Sequence, residues 1–352
     1  MPESDPDPRL PIADYDFDLP PELIAQTPVE PRDASRLLVL DRARNAITHS
    51  GFRDVLEYLS PGDLLVVNDT RVLPARLHGR RESGGRVELL LVRRVGDGMW
   101  EAMGRPARRL RPGTSVALEP GHGTAAAGAV RIEEQLPDGL LAVRLPAEVE
   151  SHLGAYGEMP LPPYIHTPLA DPERYQTVYA TAPGSAAAPT AGLHFTPRLL
   201  AAARERGIEV ARVTLHVGPG TFLPVKVPDA RDHPMHREWY RVPAEAQTSI
   251  GRTRARGGRV IAVGTTSCRT LESLPSSLTA DGDLEGWTAL MIVPGHRFRV
   301  IDGLITNFHL PRSTLMLLVS ALAGREVILA AYREAVRERY RFYSFGDAML
   351  IL

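Results

Sequence analysis

Short apolar runs bounded by turn residues recur along the chain, and many are followed by a stretch of helical periodicity. Leu37 to Asp41 and Leu64 to Val67 read as strands, with Pro61-Gly62 as the turn before the second. A short helix is expected from Pro20 and must end by Pro28, and another is expected over Phe52 to Leu59. Later in the chain the two periods alternate. Pro197 to Arg206 is helical, Val210 to Leu215 a strand, Ala244 to Arg256 helical, and Arg259 to Val263 a strand followed by helix to Leu274. Two helices split at Gly324 come next, and Tyr340 to Leu352 returns as an apolar segment. This order predicts an α/β architecture whose larger domain has a mixed, largely parallel sheet.

From about Val72 to Leu145 the period shortens to two. Arg86 to Val92, Thr114 to Leu118, Ala129 to Ile132 and Leu140 to Leu145 alternate, separated by turns such as Ser83-Gly84-Gly85 and Pro112-Gly113. Several short strands at close spacing predict a small β-barrel. Because it lies inside the chain, it is expected as an insertion: residues 1–71 and 153–352 form the α/β domain, and residues 72–152 the barrel.

Composition narrows the function classes. The 352 residues are 43% hydrophobic, enough for a large core, and the net charge of -1 argues against a globally basic nucleic-acid coat. A local basic face remains open, and since Lys226 is the only lysine it would consist of arginine guanidinium forks. Cys268 is the only cysteine, so no internal disulfide forms; it is expected as a buried small hydrophobe in a reducing cytoplasm. Met1 to Arg9 lacks the apolar core of a signal peptide. Leu315 to Ala323 falls well short of the roughly 20 residues that cross a bilayer. A soluble cytoplasmic protein without membrane partners is expected, and a monomer rather than a stable oligomer.

Several loops carry candidate chemistry. Gly264-Thr265-Thr266-Ser267 joins an apolar strand to a helix, which makes either an ordinary helix cap or an anion seat of backbone N–H groups and hydroxyls. Without a lysine after the glycine it is no Walker loop. His216-Val-Gly218-Pro-Gly220-Thr221 and Thr190-Ala-Gly192-Leu-His194 are small-residue turns that let backbone approach a ligand. Thr306-Asn307-Phe308-His309 is a fourth turn, and Asp302 before it sits in what resembles a hairpin turn after Phe298 to Ile301. Asn68-Asp69-Thr70-Arg71 ends a strand, where Asp69 and Arg71 either bind a polar ligand or form an Asx turn with an exposed ion pair.

Four histidines (His194, His216, His236 and His309) lie beside turns or strand ends. Zinc is disfavoured because none shows the helical His-x-x-x-His spacing, so no metal is expected and acid–base or hydrogen-bonding roles are preferred. Arg105, Arg108, Arg109 and Arg111 make the most basic stretch, either solvated surface or a phosphate-binding face.

Longer motifs resemble one family. Leu19 to Gln26, Asp33 to Leu37, Asn68 to Val72, Met159 to Ile165, Tyr175 to Tyr179, Ala188 to Phe195, Val213 to Phe222, Gly264 to Ser267, Asp302 to Pro311 and Tyr340 to Leu350 follow in order. Together they are similar to the S-adenosylmethionine:tRNA ribosyltransferase-isomerases of queuosine biosynthesis. The resemblance implies an α/β domain with an inserted β-barrel, S-adenosylmethionine as co-substrate and no metal. It implies as partner a tRNA carrying 7-aminomethyl-7-deazaguanine at the wobble position. The reaction it implies moves and isomerises the ribosyl group onto that aminomethyl group, giving epoxyqueuosine and releasing adenine and methionine.

Such chemistry needs a base for a C5′ proton acidified by the sulfonium and an acid for the departing adenine. His194 and His216 are expected in these roles. Substrate contacts are expected from Asn68, Asp69, Arg71, Thr190, Gly192, Gly218, Gly220, Thr221, Gly264, Thr265, Thr266, Ser267, Asp302, Asn307 and His309, with the methionine carboxylate at Gly264 to Ser267. Arg105, Arg108, Arg109 and Arg111 are expected to meet RNA. Met291-Ile-Val293 departs from the resemblance, which has an Ile flanked by aromatic residues there. The competing readings are an S-adenosylmethionine-dependent RNA methyltransferase, for which no strand leads into an acidic-x-Gly-x-Gly loop, and a non-catalytic RNA-binding protein.

Overall fold

The computed structural model describes residues 9–120, 128–218, 225, 227–275 and 280–352. Gly220 and Thr221 lie outside the described residues. The apolar strands assemble into one nine-stranded sheet. Leu64–Asn68 lies at its centre, paired in parallel with Glu209–Leu215 on one side and Val260–Val263 on the other. Gly303–Asn307 extends the parallel set beyond Val260–Val263. The C-terminal apolar segment enters as Ala348–Ile351, antiparallel to Gly303–Asn307 and parallel to Arg36–Asp41. Antiparallel strands finish both edges: Ala46–Gly51 at one, Glu238–Val242 and Leu284–Thr288 at the other. The sheet is mixed as expected, with its parallel strands concentrated at the centre.

Every residue of Leu64–Asn68 and of Val260–Val263 is buried, as strands covered on both faces must be. Leu64, Val66, Val260, Ala262 and Leu304 pack on one side against Ala246, Ile250, Cys268, Leu271, Met316 and Ile328. Leu65, Val67, Ile261, Val263 and Ile305 pack on the other against Phe52, Val55, Leu199, Leu200 and Ala203. The helices Ala244–Ala255, Thr265–Glu272, Thr314–Ala323 and Arg325–Arg337 therefore form one layer. Pro197–Glu205 and the 3₁₀ turn Phe52–Tyr58 form the other. Among the described residues no single helix is long and apolar enough to cross a membrane.

The period-two region forms a separate sheet. Arg76–Arg81 pairs with both Arg86–Gly96 and Ser115–Leu118, and this closes six strands into a barrel. Its own core contains Leu77, Leu89, Leu91, Trp100, Val116, Val130, Leu141 and Val143. Gly157–Glu158 adds to its outside on Arg76–Arg81. An α/β domain with a small barrel is thus the observed fold class.

One local expectation fails. Phe298 to Ile301 is not a strand, and Asp302-Gly303 is not a hairpin turn. The buried Glu272 carboxylate accepts hydrogen bonds from the backbone N–H groups of Arg299 (2.9 Å), Val300 (3.0 Å) and Ile301 (3.1 Å), which removes those donors from any ladder. Asp302 Oδ2 accepts from the Val260 N–H at 2.8 Å, and Gly303 then begins the parallel strand.

Candidate active site

Parallel register brings the carboxyl ends of the four central strands to one edge of the sheet, the place where open α/β sheets leave a crevice. Asn68, His216, Gly264 and Asn307 all stand there, at or just past the ends of Leu64–Asn68, Glu209–Leu215, Val260–Val263 and Gly303–Asn307. An open cleft of about 610 Å³ occupies the edge. Thr190, Gly264, Thr265, Thr266, Asn307 and His309 line it together with Tyr164, Phe308, Leu315, Tyr343 and Ser344.

Gly264 has φ +91°, a left-handed conformation that suits glycine, and it turns the chain directly into the helix Thr265–Glu272. The first N–H groups of a helix have no intrahelical acceptor, and here they open beside the cleft. Thr266 lines the cleft, with its hydroxyl buried and unpartnered among the described residues. Ser267 is different: its hydroxyl donates to the Val263 carbonyl at 2.8 Å and the residue is fully buried, so it faces the helix rather than a ligand.

Asn307 is held on several sides. Its carbonyl oxygen accepts from Thr190 Oγ1 (3.0 Å), and its amide donates to the Tyr343 carbonyl (3.1 Å) and to His194 Nε2 (3.2 Å). His309 pairs Nε2 with Thr306 Oγ1 at 2.8 Å, while Nδ1 has no partner among the described residues. Burial lowers its pKa to about 3, so the imidazole is neutral at physiological pH. Tyr164 and Tyr343 form an aromatic wall, with ring centroids 4.7 Å apart at 54°. The Tyr164 hydroxyl bonds Ser344 at 2.7 Å, and burial pushes its pKa up to about 12; burial raises that of Tyr343 too. Among the described residues lining this cleft there is no carboxylate, and His309 is the one imidazole.

Other expected site residues lie elsewhere. His194 is buried behind the cleft with both ring nitrogens engaged, Nδ1 by Ser35 Oγ at 2.7 Å and Nε2 by Asn307, and its ring against Phe52. Burial, then the charges of Arg341 and Arg32, lower its pKa to about 3. This environment suits positioning of Asn307 better than proton transfer. His216 bonds Thr70 Oγ1 at 2.8 Å and stacks on Trp239 (5.1 Å, 22°), outside the cleft lining, with its pKa lowered by burial against the opposing pull of Asp69. Gly192 is packing: a Cβ there would stand 2.1 Å from the Tyr179 hydroxyl.

Asn68 is buried and bonds both the N–H and the carbonyl of Leu215, tying two strand ends together. Asp69 accepts from Thr214 at 2.7 Å and Thr181 at 3.0 Å, and Arg71 pairs with Glu173 on the surface. Asp302 belongs to the opposite edge, because it precedes the strand that Asn307 ends. His236 and Gly218 line a second, adjoining lobe. On the barrel Arg105, Arg108, Arg109 and Arg111 are exposed, and no ion pair engages them among the described residues. Arg80, Arg93, Arg94 and Arg144 nearby are paired with Glu119, Glu101, Glu150 and Glu133. Tyr164, Tyr343 and Ser344 were not expected as site residues, although the motifs Met159 to Ile165 and Tyr340 to Leu350 contain them.

The profile of the family described as queuosine biosynthesis protein matches residues 12–351. A protein of Symbiobacterium thermophilum named S-adenosylmethionine:tRNA ribosyltransferase-isomerase is 54% identical over 345 residues, spanning 97% of this chain and 99% of its own. A protein of the same name from Moorella thermoacetica is 55% identical over 351 residues, with the same coverage. The crystal structure of the S-adenosylmethionine tRNA ribosyltransferase of Thermotoga maritima superposes with a TM-score of 0.56 at 39% identity, covering 96% of this chain and all of that one.

The buried histidines set a pH dependence. The pKa of His194 is about 3 in the folded chain and about 6.5 when unfolded, so the unfolded state takes up the proton first and stability is lost as pH falls from about 6.5 towards 3. In urea titrations at pH 7 and pH 5, wild type should lose about 2 kcal/mol more than His194→Gln. Equal losses would mean that His194 is not held neutral.

Proposed function

For a chain that belongs to the queuosine biosynthesis protein family, we propose the function of an S-adenosylmethionine:tRNA ribosyltransferase-isomerase acting in the cytoplasm. It transfers and isomerises the ribosyl moiety of S-adenosylmethionine onto the aminomethyl group of a 7-deazaguanine at the tRNA wobble position. Epoxyqueuosine forms, and adenine and methionine leave. The observation that carries this reading is family membership over residues 12–351, joined to a cleft at the carboxyl ends of the parallel strands that suits a neutral-lined nucleoside site.

Within that cleft the aromatic wall of Tyr164 and Tyr343 suits the adenosine, and the first turn of Thr265–Glu272 suits the polar end of the co-substrate. His309 takes the proton acidified by the sulfonium, in place of the expected His194 and His216. Its support is a cleft position with Nδ1 open and the absence of any lining carboxylate among the described residues. His194 acts through Asn307. The exposed arginines of the barrel grip tRNA phosphates, since guanidinium groups that no ion pair engages among the described residues are available for bidentate contacts.

Product analysis tests the reaction. Incubation with S-adenosylmethionine and tRNA bearing the aminomethyl base should yield epoxyqueuosine by nucleoside mass spectrometry, with one adenine and one methionine per modified tRNA. S-adenosylhomocysteine in their place would establish the methyltransferase alternative. In single turnover His309→Gln should slow product formation by about 10²–10⁴. A rate near wild type would remove His309 from the chemistry.

The RNA face has its own readout. Replacing Arg105, Arg108, Arg109 and Arg111 by Gln should flatten the plot of log tRNA affinity against log salt by about 0.7–0.9 per lost phosphate contact, without altering S-adenosylmethionine binding. An unchanged slope would place the RNA elsewhere.

A further inference from the structure

A second lobe of about 540 Å³ adjoins the main cleft, and Leu315 lines both. Its polar wall is a buried ion pair, Arg269 with Glu238, each more than nine-tenths buried. Arg269 Nη1 donates to Glu238 Oε2 and Nε to the Leu290 carbonyl at 3.0 Å, while Glu238 Oε1 accepts from the Gly218 N–H at 3.0 Å. Among the described residues Arg269 Nη2 is buried without an acceptor. A buried guanidinium N–H that lacks an acceptor is costly and marks a place where one is missing.

The same helix shows a second such atom. Thr266 stands three residues before Arg269, on the same face, and its hydroxyl is also buried and unpartnered beside the main cleft. Helical side chains lean towards the amino end, so Arg269 leans back along the face that Thr266 occupies. Two unsatisfied donors on one helix face, beside a carboxylate, form a pattern of positive and negative charge. An α-amino acid zwitterion has the complementary pattern. Met235, Met291, Ile292 and Leu318 give the lobe apolar surface that suits a short aliphatic chain, beside the polar side chains of His233, His236 and Thr314.

Resting on the proposed function, we infer that the co-substrate extends past Leu315 into this lobe, its α-carboxylate on Arg269 Nη2 and Thr266 Oγ1 and its ammonium facing Glu238. The carboxylate seat expected at Gly264 to Ser267 thereby moves one turn deeper, to Thr266 and Arg269. The deazaguanine acceptor is a poorer occupant, because arginine recognises guanine through O6 and N7 together and a 7-deaza base has no N7.

The test compares two ligands by calorimetry on the full chain: S-adenosylmethionine, and 5′-methylthioadenosine, which lacks the amino acid end. Wild type should prefer the first by about tenfold or more, as expected for a hydrogen-bonded charge. Arg269→Lys keeps a cation beside Glu238 but removes Nη2, and should abolish most of that preference while binding 5′-methylthioadenosine as before. Thr266→Val should lower the preference in the same direction and supplies the readout if Arg269→Lys does not fold. A preference unchanged in the folded variants overturns the inference, as does an equal loss of both ligands. Wild type that binds neither ligand would instead remove the proposed function on which the inference rests.

Discussion

Everything at the site depends on the parallel pairing of Leu64–Asn68 with its two neighbours. A strand buried on both faces has no freedom to slip, because a one-residue shift would exchange Leu64 and Val66 with Leu65 and Val67 between two different cores. Fixed register fixes where the strands stop. Val67 lies opposite Val263, and Val263 opposite Ile305, so the Gly264 turn and the strand end Thr306-Asn307 arrive side by side. The cleft is a consequence of that alignment. The helix after Gly264 then begins beside the space, and the C-terminal segment carrying Tyr343 and Ser344 lines it.

Burial also explains why so much polar chemistry near the cleft is structural. Asn68 replaces with side-chain hydrogen bonds the ladder that ends at Leu215, and Glu272 does the same for residues 299 to 301. Left unpaired, each of those backbone groups would cost about 1–3 kcal/mol. His194 belongs to this scaffold too, linking Ser35 to Asn307 while remaining neutral. Among the described residues, Thr266 Oγ1, Arg269 Nη2 and His309 Nδ1 are the polar groups at the cleft and its lobe that this scaffold leaves without partners.

The layer architecture was legible because its signals are local: apolar runs for the central strands, period-two stretches for the barrel, and a glycine between Val263 and Thr265 for the turn into a helix. Direction was not legible. Asp302 and Asn307 are five residues apart, yet a strand of that length puts them on opposite edges of the sheet, and only one edge bears the cleft. Partners distant in sequence were equally hidden. The rings of Tyr164 and Tyr343 meet only in the folded chain, and His194 reads as a loop histidine until Ser35 and Asn307 are brought to its two nitrogens. Arg269 in a short helix carries the sequence signal of a solvated residue; its burial depends on Glu238 from the strand next to the sheet's edge, which alternation alone did not reveal.

In the proposed function the co-substrate lies at the carboxyl ends of the parallel strands. A crystal structure of the protein soaked with S-adenosylhomocysteine, the stable analogue lacking the sulfonium methyl, tests it most directly. Adenosine density is expected against Tyr164 and Tyr343, within reach of Asn307 and His309, with the amino acid end along the face of Thr266 and Arg269. Density for the ligand on the barrel, or at the opposite edge beside Asp302, would contradict it.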